Sequence, residues 1–338
     1  MKKFFAYTIC LTLSLGIPAF LGIVLSFSTP LSPQMEVVEI ITIPMGASLQ
    51  EITHLLYSKG VIHSQPLFSL LVRFREADTK IKSGEYQLTN RMVPIEVLNK
   101  LMRGEQIKYS VTIPEGLNIA QIADQYEKAG MAERNRFVEL ATDQNFISAL
   151  GMQEETLEGY LFPDTYKFIR NIGEKNIIRS MVQRFNEVYS EGFKKRSQEI
   201  NLSQRETITL ASLIEKETGS PQERSMISAV FHNRLKLHMP LQCDPTVIFG
   251  LKNFNRTITK EDLKTWTPYN TYLISGLPPT PIASPGVDSI KAALYPEDVN
   301  YLFFVSKNDG THYFSSTLAE HNRAVNTYQR RNQNNALK

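Results

Sequence analysis

The clearest pattern of apolar and polar positions lies between Ser203 and Gly219. Leu210, Leu213 and Ile214 fall seven, four and three residues before Glu217, so all three share its side of a 3.6-residue helix. Ser203 and Glu206 make a capping-box pattern at the start, and Gly219 is a natural C′ residue at the end. The spacing therefore predicts a helix whose last turn carries Glu217 against an apolar wall. Glu215 has only Ala211 and Ser212 at the same offsets. An apolar wall and a helix C-terminus both disfavour a carboxylate, so Glu217 should hold its proton longer than a surface Glu. That property suits a general acid near neutral pH; the plainer reading is a solvated Glu at a helix end.

Other stretches predict a mixed α+β chain. Ile41-Thr42-Ile43-Pro44-Met45-Gly46 is echoed by Val111-Thr112-Ile113-Pro114-Glu115-Gly116. A helical pattern follows each, from Leu49 to Gly60 and from Ile119 to Gly130, and the offset is 70 residues throughout. A strand, a Pro/Gly turn and an amphipathic helix closed by Gly thus occur twice. Between the copies, Ser83 to Leu88 predicts a strand and Val93 to Met102 a helix stopped by Gly104. This strand–helix–helix–strand character suits either a structural spacer or a small carbohydrate-binding module of the LysM type. Further on, helices are predicted over 177–193 and 203–218. Ser220-Pro221-Gln222-Glu223 reads as a second capping box that opens a helix to about His238. Tyr301 to Ser306 and Thr311 to Ser315, across Asn308-Asp309-Gly310, predict a hairpin, and Leu318 to Arg330 a closing helix.

The N-terminus adds an address. Lys2 and Lys3 precede an uncharged run from Phe4 to Phe27, long enough to span a bilayer as a helix with its N-terminus in the cytoplasm. A cleaved signal peptide ending near Ser26-Phe27-Ser28 is the rival. The expected organisation is a stub at 1–3, a transmembrane helix at 4–27, a linker at 28–38, the LysM-like region at 39–150, a second domain at 151–330 and a tail at 331–338. The formal charge of +3 is spread out, with no basic run longer than Lys194-Lys195-Arg196, which argues against a nucleic-acid partner. The two cysteines, Cys10 and Cys243, are too far apart in character to pair, and His232, His238, Cys243 and Asp244 fit no common metal-ligand spacing.

Two clusters supply candidate binding groups. Glu158-Gly159-Tyr160-Leu161-Phe162-Pro163-Asp164-Thr165-Tyr166 combines aromatics, which stack on sugar faces, with carboxylates, which accept from hydroxyls; the alternative is a turn whose rings enter the core. Gln242, Asp244 and Thr246 form a polar turn. The Pro-rich run from Ser275 to Gly286 can be neither helix nor central strand, and reads as a stiff groove rim or a surface linker.

In order, ASLIEKET, ERSMISAVFHNRL, LQCDPTVIFG, YNTYLISGLPPTPIASPG and YLFFVSKNDGTHYFSSTLAEHN, with EGYLFPDTY and IPEG upstream, resemble the YceG-like family of endolytic murein transglycosylases. The likeness runs from the anchor almost to the C-terminus. It implies a single-pass inner-membrane protein with a LysM-like membrane-proximal region. Its periplasmic catalytic domain, with a lysozyme-like helical Glu site, would cut nascent peptidoglycan glycan strands beside a peptidoglycan synthase. No cofactor and no metal are expected. The family's catalytic Glu is the second of EKET, here Glu217, in agreement with the helix-face argument. Motif membership adds Glu158, Tyr160, Phe162, Asp164, Asn233, Gln242, Asp244, Thr246, Tyr269, Asn270 and Tyr272 as candidates to hold the glycan or orient Glu217. Cys243 departs from the pattern, where a polar or small residue is more usual. A water-using muramidase, with Asp164, Asp244 or Glu215 as base, and a non-catalytic wall-binding scaffold remain as alternatives.

Overall fold

The computed structural model describes residues 17–18, 21–22, 25–31, 36–251, 254 and 256–330. The anchor expected over 4–27 falls mostly outside them, and the 1–3 stub, Cys10 and the 331–338 tail wholly so. Among the described residues no helix is long and apolar enough to cross a membrane. The chain divides into two compact units, Met1–Tyr109 with Lys167–Arg170, and Ser110–Tyr166 with Asn171–Lys338.

In the first unit the order is β1 (Val38–Ile43), α1 (Leu49–Ser58), α2 (Gln65–Phe74), β2 (Gly84–Thr89) and α3 (Pro94–Arg103). β1 and β2 pair antiparallel, with Val38 opposite Thr89 and Ile43 opposite Gly84. Strand alternation sends Ile41, Ile43, Tyr86 and Leu88 to one face, where they meet Leu56, Phe68, Val97, Leu98 and Leu101 of the helices. α3 ends at Gly104 in the left-handed region, φ 71°, the conformation that costs Gly least.

The second unit starts within β3 (Lys108–Thr112), which pairs with β4 (Thr165–Ile169), and continues through α4 (Ile119–Lys128), α5 (Arg134–Thr142) and α6 (Gln144–Ala149). The duplicated pattern persists down to single hydrogen bonds. Ser48 with Glu51 and Asn118 with Gln121 form equivalent capping boxes. Amides of Lys59, Gly60 and Val61 return to Leu55, Tyr57 and Leu56, as those of Ala129, Gly130 and Met131 do to Gln125, Glu127 and Tyr126. The division between units falls at Tyr109/Ser110. The reason is that the second copy's turn is tied into the second unit. The Gly116 amide donates to Ser284 O, and the Ser284 amide to Leu117 O, both at 2.8 Å.

The helix expected over 177–193 is two, α7 (Glu174–Val188) and α8 (Glu191–Glu199). Tyr189 breaks it by turning its ring into the core, stacked 5.7 Å from Phe185. α9 (Gln204–Glu217) is the central helix: every residue from Thr207 to Ile214 is buried. α10 (Arg224–Lys236), α11 (Asp244–Gly250) and α12 (Val287–Leu294) pack around it. The Pro-rich run is neither rim nor linker at its end, because residues 281–286 are buried along α9. There the Ile282 amide donates to Ser212 Oγ at 3.1 Å and the Gly286 amide to Glu215 Oε2 at 3.0 Å. Prolines bring no N–H that needs a partner, so an extended segment can thread a helix-lined interior. β5 (Phe303–Ser306) and β6 (His312–Ser315) form the expected hairpin, and α13 (Leu318–Val325) runs on into a π-helical turn at Asn326–Arg330.

Candidate active site

The end of α9 sends three successive side chains in three directions. Glu215 turns to the Gly286 amide and lies 3.7 Å from Arg224, Lys216 donates to Gly116 O at 3.1 Å, and Glu217 enters a cavity of about 550 Å³. The helix starts at the Ser203–Glu206 capping box. It does not end on a left-handed Gly: Thr218 is the C-cap, and its amide and hydroxyl both return to Ile214 O. Gly219 serves a different need. A Cβ there would stand 2.8 Å from the carbonyl oxygen of Gly310, so the bare backbone lets the β5–β6 hairpin tip close onto the helix end.

Ser220-Pro221-Gln222-Glu223 forms a short 3₁₀ turn, Pro221–Glu223, rather than a capping box. Ser220 Oγ donates to Gln222, and Glu223 turns inward instead. Its two carboxylate oxygens take the backbone N–H of His312 at 3.0 Å and ring Nδ1 at 2.7 Å. A partnered backbone donor and ring nitrogen in the interior outweigh a cap that solvent can replace. His312, so held and packed edge-on to Phe304, lines the cavity opposite the helix end.

Glu217 is held above the usual carboxyl range. Burial is the main cause and the neighbouring Asp244 adds to it; the Cys243 thiol, which donates to Glu217, and His312 act the other way. Cys243 itself is buried, and burial pushes its thiol well up, so it stays a neutral donor. Asp244 accepts from Tyr272 Oη at 2.6 Å, and both line the cavity, as does Gln242.

The remaining sequence candidates lie elsewhere in the unit. Glu158 is buried, and both its oxygens accept from the Ile119 amide at 3.2 Å. Tyr160 packs edge-on to Phe185, Phe162 is in the core, and Asp164 pairs with Arg184 at 2.7 Å. Asn233 donates to the carbonyls of Val299 and Tyr301, which secures the approach to the hairpin. Thr246 bonds Cys243 O and Thr271, Asn270 ties Leu263 and Thr265, and Tyr269 bonds Thr280. None of these eight is in the wall of the Glu217 cavity.

That wall also contains residues the sequence reading passed over: Arg234, Phe303 to Ser306, His312 and one face of the C-terminal helix. The face was visible as a stripe. Leu318, His321, Asn322, Val325 and Gln329 recur at helical spacing, and a stripe that mixes apolar residues with His and Asn is suited to a wet cavity rather than a dry core. Among the described residues no group of three or more His, Cys, Asp or Glu is placed to hold a metal ion.

Comparison with known proteins follows the same lines. The endolytic murein transglycosylase of Bacillus subtilis (strain 168) is 34% identical over 304 residues, 85% of this chain and 84% of its own length. That of Streptococcus pneumoniae (strain ATCC BAA-255 / R6) is 29% identical over 320 residues, 84% of this chain but 57% of the longer pneumococcal protein. The crystal structure of a YceG-like protein from Listeria monocytogenes aligns with a TM-score of 0.59 at 32% identity, over 86% of this chain and all of the other. With the YceG-like sequence pattern matched continuously over residues 41–327, the chain belongs to the YceG-like family.

Proposed function

We propose that this chain is an endolytic peptidoglycan lytic transglycosylase with Glu217 as its acid and base. One observation carries the reading: a carboxyl at the end of a buried helix opens into a roomy cavity, and burial raises its pKa above the ordinary carboxyl value. Glu217 gives that proton to the oxygen joining MurNAc to the next GlcNAc, as charge builds at the anomeric carbon. The resulting carboxylate then takes the proton of the MurNAc C6 hydroxyl, whose oxygen closes on the anomeric carbon to leave a 1,6-anhydro end. Cys243 favours this second form by donating its thiol hydrogen. Tyr272, Asp244 and Gln242 are the glycan contacts. The reading includes a membrane anchor at 4–27 and a LysM-like region ahead of the catalytic unit. It places that unit in the periplasm, beside a peptidoglycan synthase, where cleavage would terminate glycan elongation.

A water-using muramidase is the second reading, favoured by Asp244. Of the three candidate bases it alone shares the cavity with Glu217, while Asp164 is paired with Arg184 and Glu215 is engaged by Gly286 and Arg224. Mass spectrometry of fragments released from un-crosslinked glycan strands separates the two. The full chain in detergent should release 1,6-anhydroMurNAc ends, and Glu217→Gln should lower the rate by roughly 10²–10⁴-fold. Reducing ends, heavier by one water, would make it a hydrolase.

A further inference from the structure

The Glu217 cavity has a basic side that bond cleavage does not use. Arg234, in the last turn of α10, is 7% exposed and lines the cavity. Its Nε donates to Leu302 O at 2.7 Å, and its Nη1 to Pro240 O, Leu241 O and Gln242 Oε1 at 3.0 to 3.3 Å. All four acceptors are neutral. Among the described residues no carboxylate pairs with Arg234, and its Nη2 has no protein acceptor, whereas Arg184, Arg205 and Arg256 each hold a carboxylate at 2.6 to 2.7 Å. A guanidinium taken out of water against neutral oxygens alone is short of an anion. Burial correspondingly weakens its hold on the proton.

A second basic group stands beside it. His321 stacks on Phe303, with ring centroids 5.2 Å apart, and the guanidinium carbon of Arg234 lies 5.2 Å from the same ring. Nδ1 of His321 is buried without a partner, which leaves Nε2 as the nitrogen available to the cavity that the residue lines. Burial and the charge of Arg234 both favour the neutral imidazole. A neutral ring whose buried nitrogen has no acceptor keeps its hydrogen on the other nitrogen, so Nε2 is a donor. Two donors on one aromatic platform, without an acid of their own, form a cradle for a planar anion.

We propose that Arg234 and His321 form a carboxylate-binding subsite within the glycan cavity, which takes an acidic substituent of the muramoyl residue. The proposal rests on the murein-cleavage reading and adds a specificity to it. GlcNAc is neutral, whereas each MurNAc carries either a free lactyl carboxylate or a stem peptide with carboxylates of its own. A cavity with Glu217 and Asp244 at one side and Arg234 and His321 at another therefore sets which sugar enters which end. It also disfavours glycans without an acid group.

The test is calorimetric binding by the full chain in detergent, with Glu217→Gln to disable cutting. Two pairs of probes are compared: peptide-free murein strands against the same strands with the lactyl carboxyl reduced to the alcohol, and peptide-bearing strands against the same strands with peptide carboxyls amidated. Loss of the carboxylate should weaken binding about tenfold or more, the range for a hydrogen bond to a charged group. A gap in the first pair assigns the lactyl group, and a gap in the second pair alone assigns the stem peptide. Adding His321→Asn or Arg234→Lys should shrink the gap to about twofold while binding of the neutral probes persists. Equal binding within both pairs, or no binding of any strand, overturns the proposal. A wild-type chain that shows this preference yet releases no fragments would overturn the catalytic reading and leave the subsite standing.

Discussion

Replacement of Glu158 by Gln should make the second unit more stable at alkaline pH and leave it nearly unchanged in acid. Glu158 is 6% exposed, pairs with no cation among the described residues, and accepts only backbone N–H groups. Burial raises its pKa to about 8 from a reference of 4.5, against the opposing pull of the Ile119 and Gly159 amides. A carboxyl so shifted binds its proton about 5 kcal/mol more tightly in the folded chain. The sign follows from that. The contribution is complete below pH 4.5, where both states are protonated, and is lost as pH rises from there through about 8. Gln keeps the shape and the acceptor for Ile119 and cannot ionise, so the variant should escape the loss. At pH 8.5 its melting temperature, by far-UV circular dichroism, should exceed that of the wild type by about 10 °C, and at pH 4 the two should nearly coincide. Parallel pH dependences would refute the argument. A glycan-binding role for Glu158 would show instead as a raised KM at pH 5, where stability separates the two proteins far less than at pH 8.5.

Three further perturbations address the cavity. Gly219→Ala puts a Cβ against the Gly310 carbonyl, backbone against backbone, so the hairpin tip must move; stability should fall by about 1–3 kcal/mol and kcat with it, because the hairpin carries His312. Glu223→Ala leaves the half-buried His312 N–H without an acceptor and should cost about 1–2 kcal/mol in denaturant titration, with Glu223→Gln milder since it retains one acceptor oxygen. Cys243→Ala removes a donor that favours the Glu217 carboxylate, so the Glu217 pKa should rise and the alkaline limb of the kcat profile move to higher pH; a shift the other way would contradict the thiol's role.

What the sequence displayed well was local. The Ser203 capping box, the Asn308–Gly310 turn and both copies of the strand–turn–helix pattern depend on residues within a few positions of one another, and each has the form its spacing implies. Glu217 could be singled out for a related reason, since its apolar neighbours lie on its own helix. Long-range partners were not visible. Ser-Pro-Gln-Glu spells a capping box, yet Glu223 is claimed by His312, 89 residues away. Tyr160 and Phe162 are aromatic in the core as they would be against a sugar, and composition does not distinguish the two surroundings. The Pro-rich run looked like surface because the donors that hold it, the Ile282 and Gly286 amides, find acceptors on α9 that only the folded chain supplies.

The twofold strand–turn–helix pattern has a bearing on descent. Each copy closes its own turn and caps its own helix with hydrogen bonds internal to it, so it can change neighbours without being rebuilt. The first copy lies in the first unit; the second lies in the second unit, where its Gly116 carbonyl receives Lys216, the residue next to Glu217. A tandem duplication accounts for such a pair, and it puts a ready-made turn beside the end of α9. Exchange of residues 41–60 into positions 111–130 would then be expected to preserve the local fold and to lose only those few contacts that the second copy acquired afterwards.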